Sequence, residues 1–181
     1  MSLSIIDELP KNEIYNDAFS GLRLSYRYFK NKNKNKKTIV FLHGYNGNSK
    51  SWAYQFKFFK NKYSLISFDF PGFGESDNMK DPDMFKVSNL IIRALENLKI
   101  KKYYIIGHSM GGKAAMVLAL KNPHLVNRLL IAEIAPVKYE HDQSKFIEAM
   151  QKVDLSKVEK RSDAIMALSN FLEDKSLQNF F

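Results

Sequence analysis

Residues 103–112 read Tyr-Tyr-Ile-Ile-Gly-His-Ser-Met-Gly-Gly, an apolar run that ends in a Gly-x-Ser-x-Gly turn. An uninterrupted apolar run of this length is how a strand covered on both faces reads. The Ala-rich stretch Ala114 to Lys121 follows and stops at Asn122-Pro123, so a helix is expected there. Between strand and helix, Ser109 stands at the apex of a strained turn. Gly107 and Gly111 remove the Cβ atoms that would clash as the backbone doubles back, and Gly112 lets the helix pack close to the sheet. A turn of this kind exposes the Ser109 hydroxyl at the carboxyl edge of the sheet. It also aims the positive end of the helix at charge developing on an attacked carbonyl.

Leu22 to Phe29 alternates with period two, as a half-buried strand does, whereas Thr38 to Leu42 is apolar throughout and reads as fully buried. Strand character returns at Tyr63 to Asp69 and again at Leu129 to Ile134, which reads as a further buried strand. Helices are expected over Ser49 to Lys60 and Pro82 to Leu98. In the second, Phe85, Leu90, Ile91, Ala94, Leu95 and Leu98 recur at helical spacing, with Asp81 placed to cap. Strands separated by helices of this length imply a mostly parallel sheet with helices on both faces, an α/β fold.

Past Pro136 the pattern changes. His141 to Val153, Arg161 to Leu172 and Lys175 to Phe181 read as amphipathic helical pieces with no strand between them. The expected organisation is a core over residues 1–137 and a partial helical cap over 138–181. The sequence closes on Asn179-Phe180-Phe181 in mid-pattern, so the expectation is an incomplete domain that lacks its last strands.

The 181 residues suffice for one domain that hides roughly 70% of its unfolded surface without a staple. With 0 Cys there is no disulfide, no thiol nucleophile and no Cys-ligated zinc. No stretch reaches the ~18 apolar residues of a membrane span, and Met1 to Lys11 carries Asp7, Glu8 and Pro10 in place of a basic start and an apolar run; a cytoplasmic setting is the expectation. The net charge of +9 is mostly lysine, with only five arginines, and Lys alternates with Asn over residues 31–37. Nucleic-acid surfaces lean on Arg forks and interleaved aromatics, so this run reads as a solvated turn.

Two further motifs bear on chemistry. His43-Gly44-Tyr45-Asn46-Gly47 follows the strand Thr38 to Leu42, where a loop can supply one backbone N–H to an oxyanion, the second coming from the residue after the nucleophile. Those donors would be Tyr45 and Met110, with His43 and Gly44 shaping the loop. Asp69 to Ser76 (Asp-Phe-Pro-Gly-Phe-Gly-Glu-Ser) is a turn-rich loop in which Asp69 and Ser76 are expected to hold backbone groups.

With these motifs in this order, residues 20–137 resemble the amino-terminal two thirds of an α/β-hydrolase. Gly107 to Met116 followed by Glu133-Ile134-Ala135-Pro136-Val137 further resembles the bacterial YbfF-type esterases, in which the second segment usually reads Asp-Ile-Ala-Pro-Val. The resemblance implies a cofactor-free, metal-free serine esterase or thioesterase acting on a small acyl ester or thioester. Its acid must follow Ser109 and precede the histidine. Glu133, 24 residues downstream at a strand end, matches the family's position, although a charged residue closing a strand is an alternative reading, and Asp142 and Asp154 compete from the cap.

The base is harder to place. His43 belongs to the oxyanion loop and the His108 side chain is expected to point elsewhere. A helix of some twelve residues carries His124 ~18 Å to the opposite edge of the sheet. His141 alone has the right chain order, while the resemblance places the base two strands later, beyond Phe181. A non-catalytic fragment, or an apolar-ligand-binding module on a hydrolase scaffold, is the alternative reading. An elbow serine in place of Asp excludes haloalkane dehalogenase and epoxide hydrolase chemistry.

Overall fold

A computed structural model describes residues 4–33, 36–139 and 144–171. The chain divides into two compact units, Met1–Pro136 and Val137–Phe181.

The first unit is built on six strands: β1 (Asn12–Asn16), β2 (Arg23–Phe29), β3 (Thr38–Leu42), β4 (Ser64–Phe68), β5 (Tyr103–His108) and β6 (Val126–Ala132). They lie side by side in the order β1-β2-β4-β3-β5-β6. β1, β2 and β4 pair antiparallel, and β4, β3, β5 and β6 run parallel. All five residues of β3 and of β4 are buried, because these strands lie inside the sheet and both faces are covered. On one face Val40, Leu42, Ile66, Phe68 and Ile105 pack against α2 (Met84–Asn97) and α3 (Met110–Lys121). On the other, Ile39, Phe41 and Leu65 meet Trp52 and Phe56, which come from a 3₁₀ turn (Ser49–Trp52) and α1 (Ala53–Phe59). Each fully buried Leu, Ile or Phe contributes roughly 1.5–3 kcal/mol by leaving water. The parallel sheet with helices on both faces is thus present as expected.

Four details differ from the sequence reading. β1 (Asn-Glu-Ile-Tyr-Asn) has no apolar alternation to announce it, since it is a largely exposed edge strand joined to the sheet only through β2. The cap of α2 is Asp83, whose carboxylate accepts from Lys86 N–H at 2.8 Å, whereas Asp81 takes a left-handed φ of 48° before the helix begins. The helix after the elbow starts at Met110, four residues before the Ala-rich stretch. β6 is not buried: it starts at Val126, forms the other edge, and leaves Leu129 and Leu130 40% and 53% exposed. An apolar run marks a strand but does not say that anything covers it.

The parallel register fixes where chemistry can occur. Leu42 is opposite Phe68 and Gly107, and His108 is opposite Ala132. The strands β3, β4, β5 and β6 therefore end at one edge, and the segments that follow them, from His43, Asp69, Ser109 and Glu133, emerge together.

The second unit holds α4 (Ser144–Gln151), a 3₁₀ turn (Leu155–Lys157) capped by Asp154, and α5 (Arg161–Ser169). Ala149 and Leu168 are buried, and the Lys152 ammonium lies 5.9 Å from the Phe171 ring centre. No helix among the described residues is long and apolar enough to cross a membrane.

Candidate active site

Ser109 is the residue between β5 and α3, with φ 49° and ψ −118°. A non-glycine residue held there stores roughly 1–3 kcal/mol of strain, which the surrounding packing must offset. The packing is visible in the glycines. A Cβ on Gly107 would come within 2.5 Å of the Gly111 carbonyl oxygen, one on Gly111 would strike the Leu42 and His43 carbonyls, and one on Gly112 would meet Ile134 Cγ2 at 2.5 Å. Ser109 N–H donates to the Ala132 carbonyl at 2.9 Å, which ties the turn to the end of β6. Although Ser109 occupies the N-cap position of α3, its side chain makes no capping bond. Its hydroxyl is left for other partners.

The loop after β3 sits against this turn. A Cβ on Gly44 would lie 2.7 Å from His108 Nδ1 and 3.3 Å from the Ser109 Cβ, so only glycine permits the approach. The backbone N–H groups of the two predicted donors, Tyr45 and Met110, have no acceptor among the described residues. Tyr45 is followed by Asn46 in a left-handed turn (φ 58°), and its ring meets Phe73 edge-on at 5.5 Å.

His43 itself is 1% exposed and fully committed. Its Nε2 accepts from Phe70 N–H at 2.9 Å, so the proton is on Nδ1, which donates to the Gly44 carbonyl at 2.7 Å. Burial pushes this imidazole below its ordinary value, and the Gly44 carbonyl and the Asp69 charge offset that only in part. His43 is thus a neutral bridge between the β3 and β4 loops.

Asp69 does for its own loop what the sequence suggested. Its buried carboxylate accepts from Ser49 N–H (2.6 Å), Ser25 Oγ–H (2.7 Å) and Glu75 N–H (3.0 Å), while Ser76 Oγ–H donates to the Asp69 carbonyl at 2.7 Å. Burial alone would raise this carboxyl, but the amides of Glu75 and Ser49 and the Ser25 hydroxyl together hold it below the usual carboxylate range.

Glu133, one residue past β6, also takes a left-handed φ (58°). Its Oε2 lies 2.7 Å from His108 Nε2. A carboxylate only accepts, so Nε2 carries the proton. The His108 ring therefore spans from the Gly44 backbone to Glu133. Sequence reasoning left His108 unassigned, and nothing in a Gly-His-Ser run announces such a contact; the one clue was the longer Glu where the resembled esterases carry Asp. His124 lies at the far edge, beside Tyr103 at the start of β5. His141 falls outside the described residues. No group of three or more His, Asp or Glu side chains that could hold a metal occurs among the described residues.

Residues 37–169 match the family model described as the alpha/beta hydrolase fold. A putative esterase/lipase of Haemophilus influenzae is 27% identical over 176 residues, which cover 92% of this chain and 61% of that protein. Mouse epoxide hydrolase 4 is 31% identical over 115 residues, covering 62% of this chain and 32% of the relative. Among solved structures, an esterase from a marine microorganism superposes with a TM-score of 0.75 at 26% identity, over 87% of this chain and 61% of its own. The chain thus spans about three fifths of the length of the esterase relatives it matches. With the sheet order, the strained serine turn and this match over most of its length, the chain belongs to the α/β-hydrolase family.

Proposed function

We propose that the protein is a serine hydrolase, an esterase or thioesterase that transfers the acyl group of a small ester to Ser109 and then to water. The observation that carries this reading is Ser109 itself: a strained residue between strand and helix, with a hydroxyl not spent on capping, beside two backbone N–H groups that have no acceptor among the described residues. A serine in this position attacks the carbonyl carbon, and the electron pair displaced onto the carbonyl oxygen is met by the Tyr45 and Met110 amides at the positive end of α3. Collapse of that intermediate expels the alcohol or thiol, and water repeats the sequence on the acyl-enzyme.

Serine needs a base to take its proton. Both nitrogens of His43 are engaged, His124 lies at the other edge, and His108 Nε2 is held by Glu133. The base is then His141 or a histidine supplied from outside these 181 residues, and the family resemblance favours the second. Glu133 is the acid that would orient it through Oε1, the oxygen not held by His108. The aromatic pair Tyr45 and Phe73 beside the loop fits an apolar acyl group.

The test is hydrolysis of nitrophenyl butyrate by protein expressed from the complete reading frame. Turnover lost in Ser109→Ala with the fold intact supports the assignment. Retained turnover in that variant sinks it.

A further inference from the structure

His108 closes β5 opposite Ala132, and Glu133 is the next residue along from Ala132. This register, reinforced by the Ser109 N–H bond to the Ala132 carbonyl, brings imidazole to carboxylate, with Nε2 2.7 Å from Oε2. On its other side the ring lies against the loop after β3, where a Cβ on Gly44 would stand 2.7 Å from Nδ1 and 3.1 Å from Cε1. One side chain, the neighbour of Ser109 in the chain, thus touches both the loop that carries the Tyr45 N–H and the carboxylate that follows β6.

The contact does little for the fold. The His108 and Glu133 side chains are 42% and 78% exposed, and a pair so solvated contributes little to stability. Its effect is on direction. The Glu133 backbone is pinned by the end of β6 and a left-handed φ of 58°, but its side chain turns about χ1, χ2 and χ3 and stands mostly in water. A carboxylate left free there spreads over many rotamers, and only some of them aim an oxygen toward Ser109. A donor on Oε2 selects among those rotamers and leaves Oε1, with its own lone pairs, for a second donor.

We propose that His108 is a positioning residue: its Nε2–H fixes the Glu133 carboxylate so that Oε1 faces the base, while its ring, seated on Gly44, keeps that carboxylate in register with the oxyanion loop. This rests on the reading of Ser109 as nucleophile and Glu133 as acid, and adds to it the device that aims the acid. His108 takes no proton from Ser109 in this scheme. It acts through Glu133, so its removal should slow the chemical step and leave substrate binding and stability nearly as they were.

Hydrolysis of nitrophenyl butyrate by protein expressed from the complete reading frame tests it, with three variants of His108. Phenylalanine keeps a ring on Gly44 and removes the donor, glutamine restores a donor near the place of Nε2, and the shorter asparagine stops short of Oε2. His108→Phe is expected to lower kcat by about 10–100-fold, the loss that follows when a catalytic group is slightly misplaced, with KM within about twofold of wild type. Its melting temperature should stay within about 2 °C of wild type, as an exposed pair implies. His108→Gln should recover most of the lost kcat, and His108→Asn should not. In a Glu133→Gln background, His108→Phe should cost less than about threefold more, because no carboxylate is left to aim. A loss under about threefold in His108→Phe, equal kcat in the Gln and Asn variants, or the full loss repeated in the Glu133→Gln background would overturn the proposal and leave Ser109 and Glu133 in their roles. The catalytic reading has its own controls. Turnover kept in Ser109→Ala, or a loss under about tenfold in Glu133→Gln alone, would remove that reading and the proposal with it.

Discussion

Replacing His43 by Phe tests whether the loop beside Ser109 is held by a neutral imidazole. Phenylalanine keeps a ring of similar shape next to Phe70 and Phe73, whose centres lie 4.7 and 5.5 Å away. It removes both polar contacts, leaving the Phe70 N–H without a partner in a buried place, while the Gly44 carbonyl keeps the Gly47 N–H at 3.1 Å. The orphaned N–H costs about 1–3 kcal/mol, so a loss of about 2 kcal/mol is expected. At roughly 2–4 °C per kcal/mol for a chain of this size, the melting temperature should fall by about 6 °C. The pH dependence sharpens the test. Burial holds the native imidazole below its ordinary value, so the unfolded chain binds a proton that the native chain refuses. The contribution is therefore full above the unfolded value of about 6.5, declines as pH falls through it, and stops declining below the native value. Urea titrations from pH 8 to pH 5 measure both effects. A loss under about 1 kcal/mol at pH 7, or a variant that keeps the wild-type slope below pH 6.5, would show that His43 is not a neutral bridge between the two loops.

Other outcomes follow from neighbouring contacts. Ser109→Gly should stabilise the protein by about 1 kcal/mol, because glycine tolerates φ 49°, and abolish acyl transfer; a destabilised variant would mean the turn is not strained. Gly44→Ala should push His108 off Glu133, read as a changed His108 ring signal by nuclear magnetic resonance, and an unchanged signal would show that the loop yields instead. Glu133→Gln should leave the fold intact yet slow acyl transfer by ~10⁴-fold, and a loss under about tenfold would move the acid elsewhere. Asp17→Ala should cost about 3–5 kcal/mol by equilibrium unfolding, because it strands the Arg93 guanidinium that donates twice to this buried carboxylate, at 2.8 Å each.

Much of this arrangement was legible in the residues. β3 and the turn after β5 were legible because uninterrupted apolar runs and glycine spacing are local signals, and the parallel sheet then followed from strands separated by helices. The loop functions of Asp69 and Ser76 were legible for the same reason, since turn residues with short polar side chains bind nearby backbone. What failed to show was set by distant partners. β1 exists because β2 offers it an edge, and the exposure of β6 depends on what lies over it, not on Leu129 and Leu130 themselves. The His108–Glu133 contact joins residues 25 apart that only the β5–β6 register brings together.

A fluorophosphonate probe distinguishes a nucleophilic Ser109 from one that merely completes a turn. Protein expressed from the complete reading frame is incubated with the probe and the adduct located by peptide mass spectrometry. One adduct is expected, on Ser109, that disappears in Ser109→Ala and forms more slowly in Glu133→Gln. A folded protein that takes up no probe at Ser109, or takes it up on another residue at the same rate in Ser109→Ala, would leave Ser109 as a turn residue only.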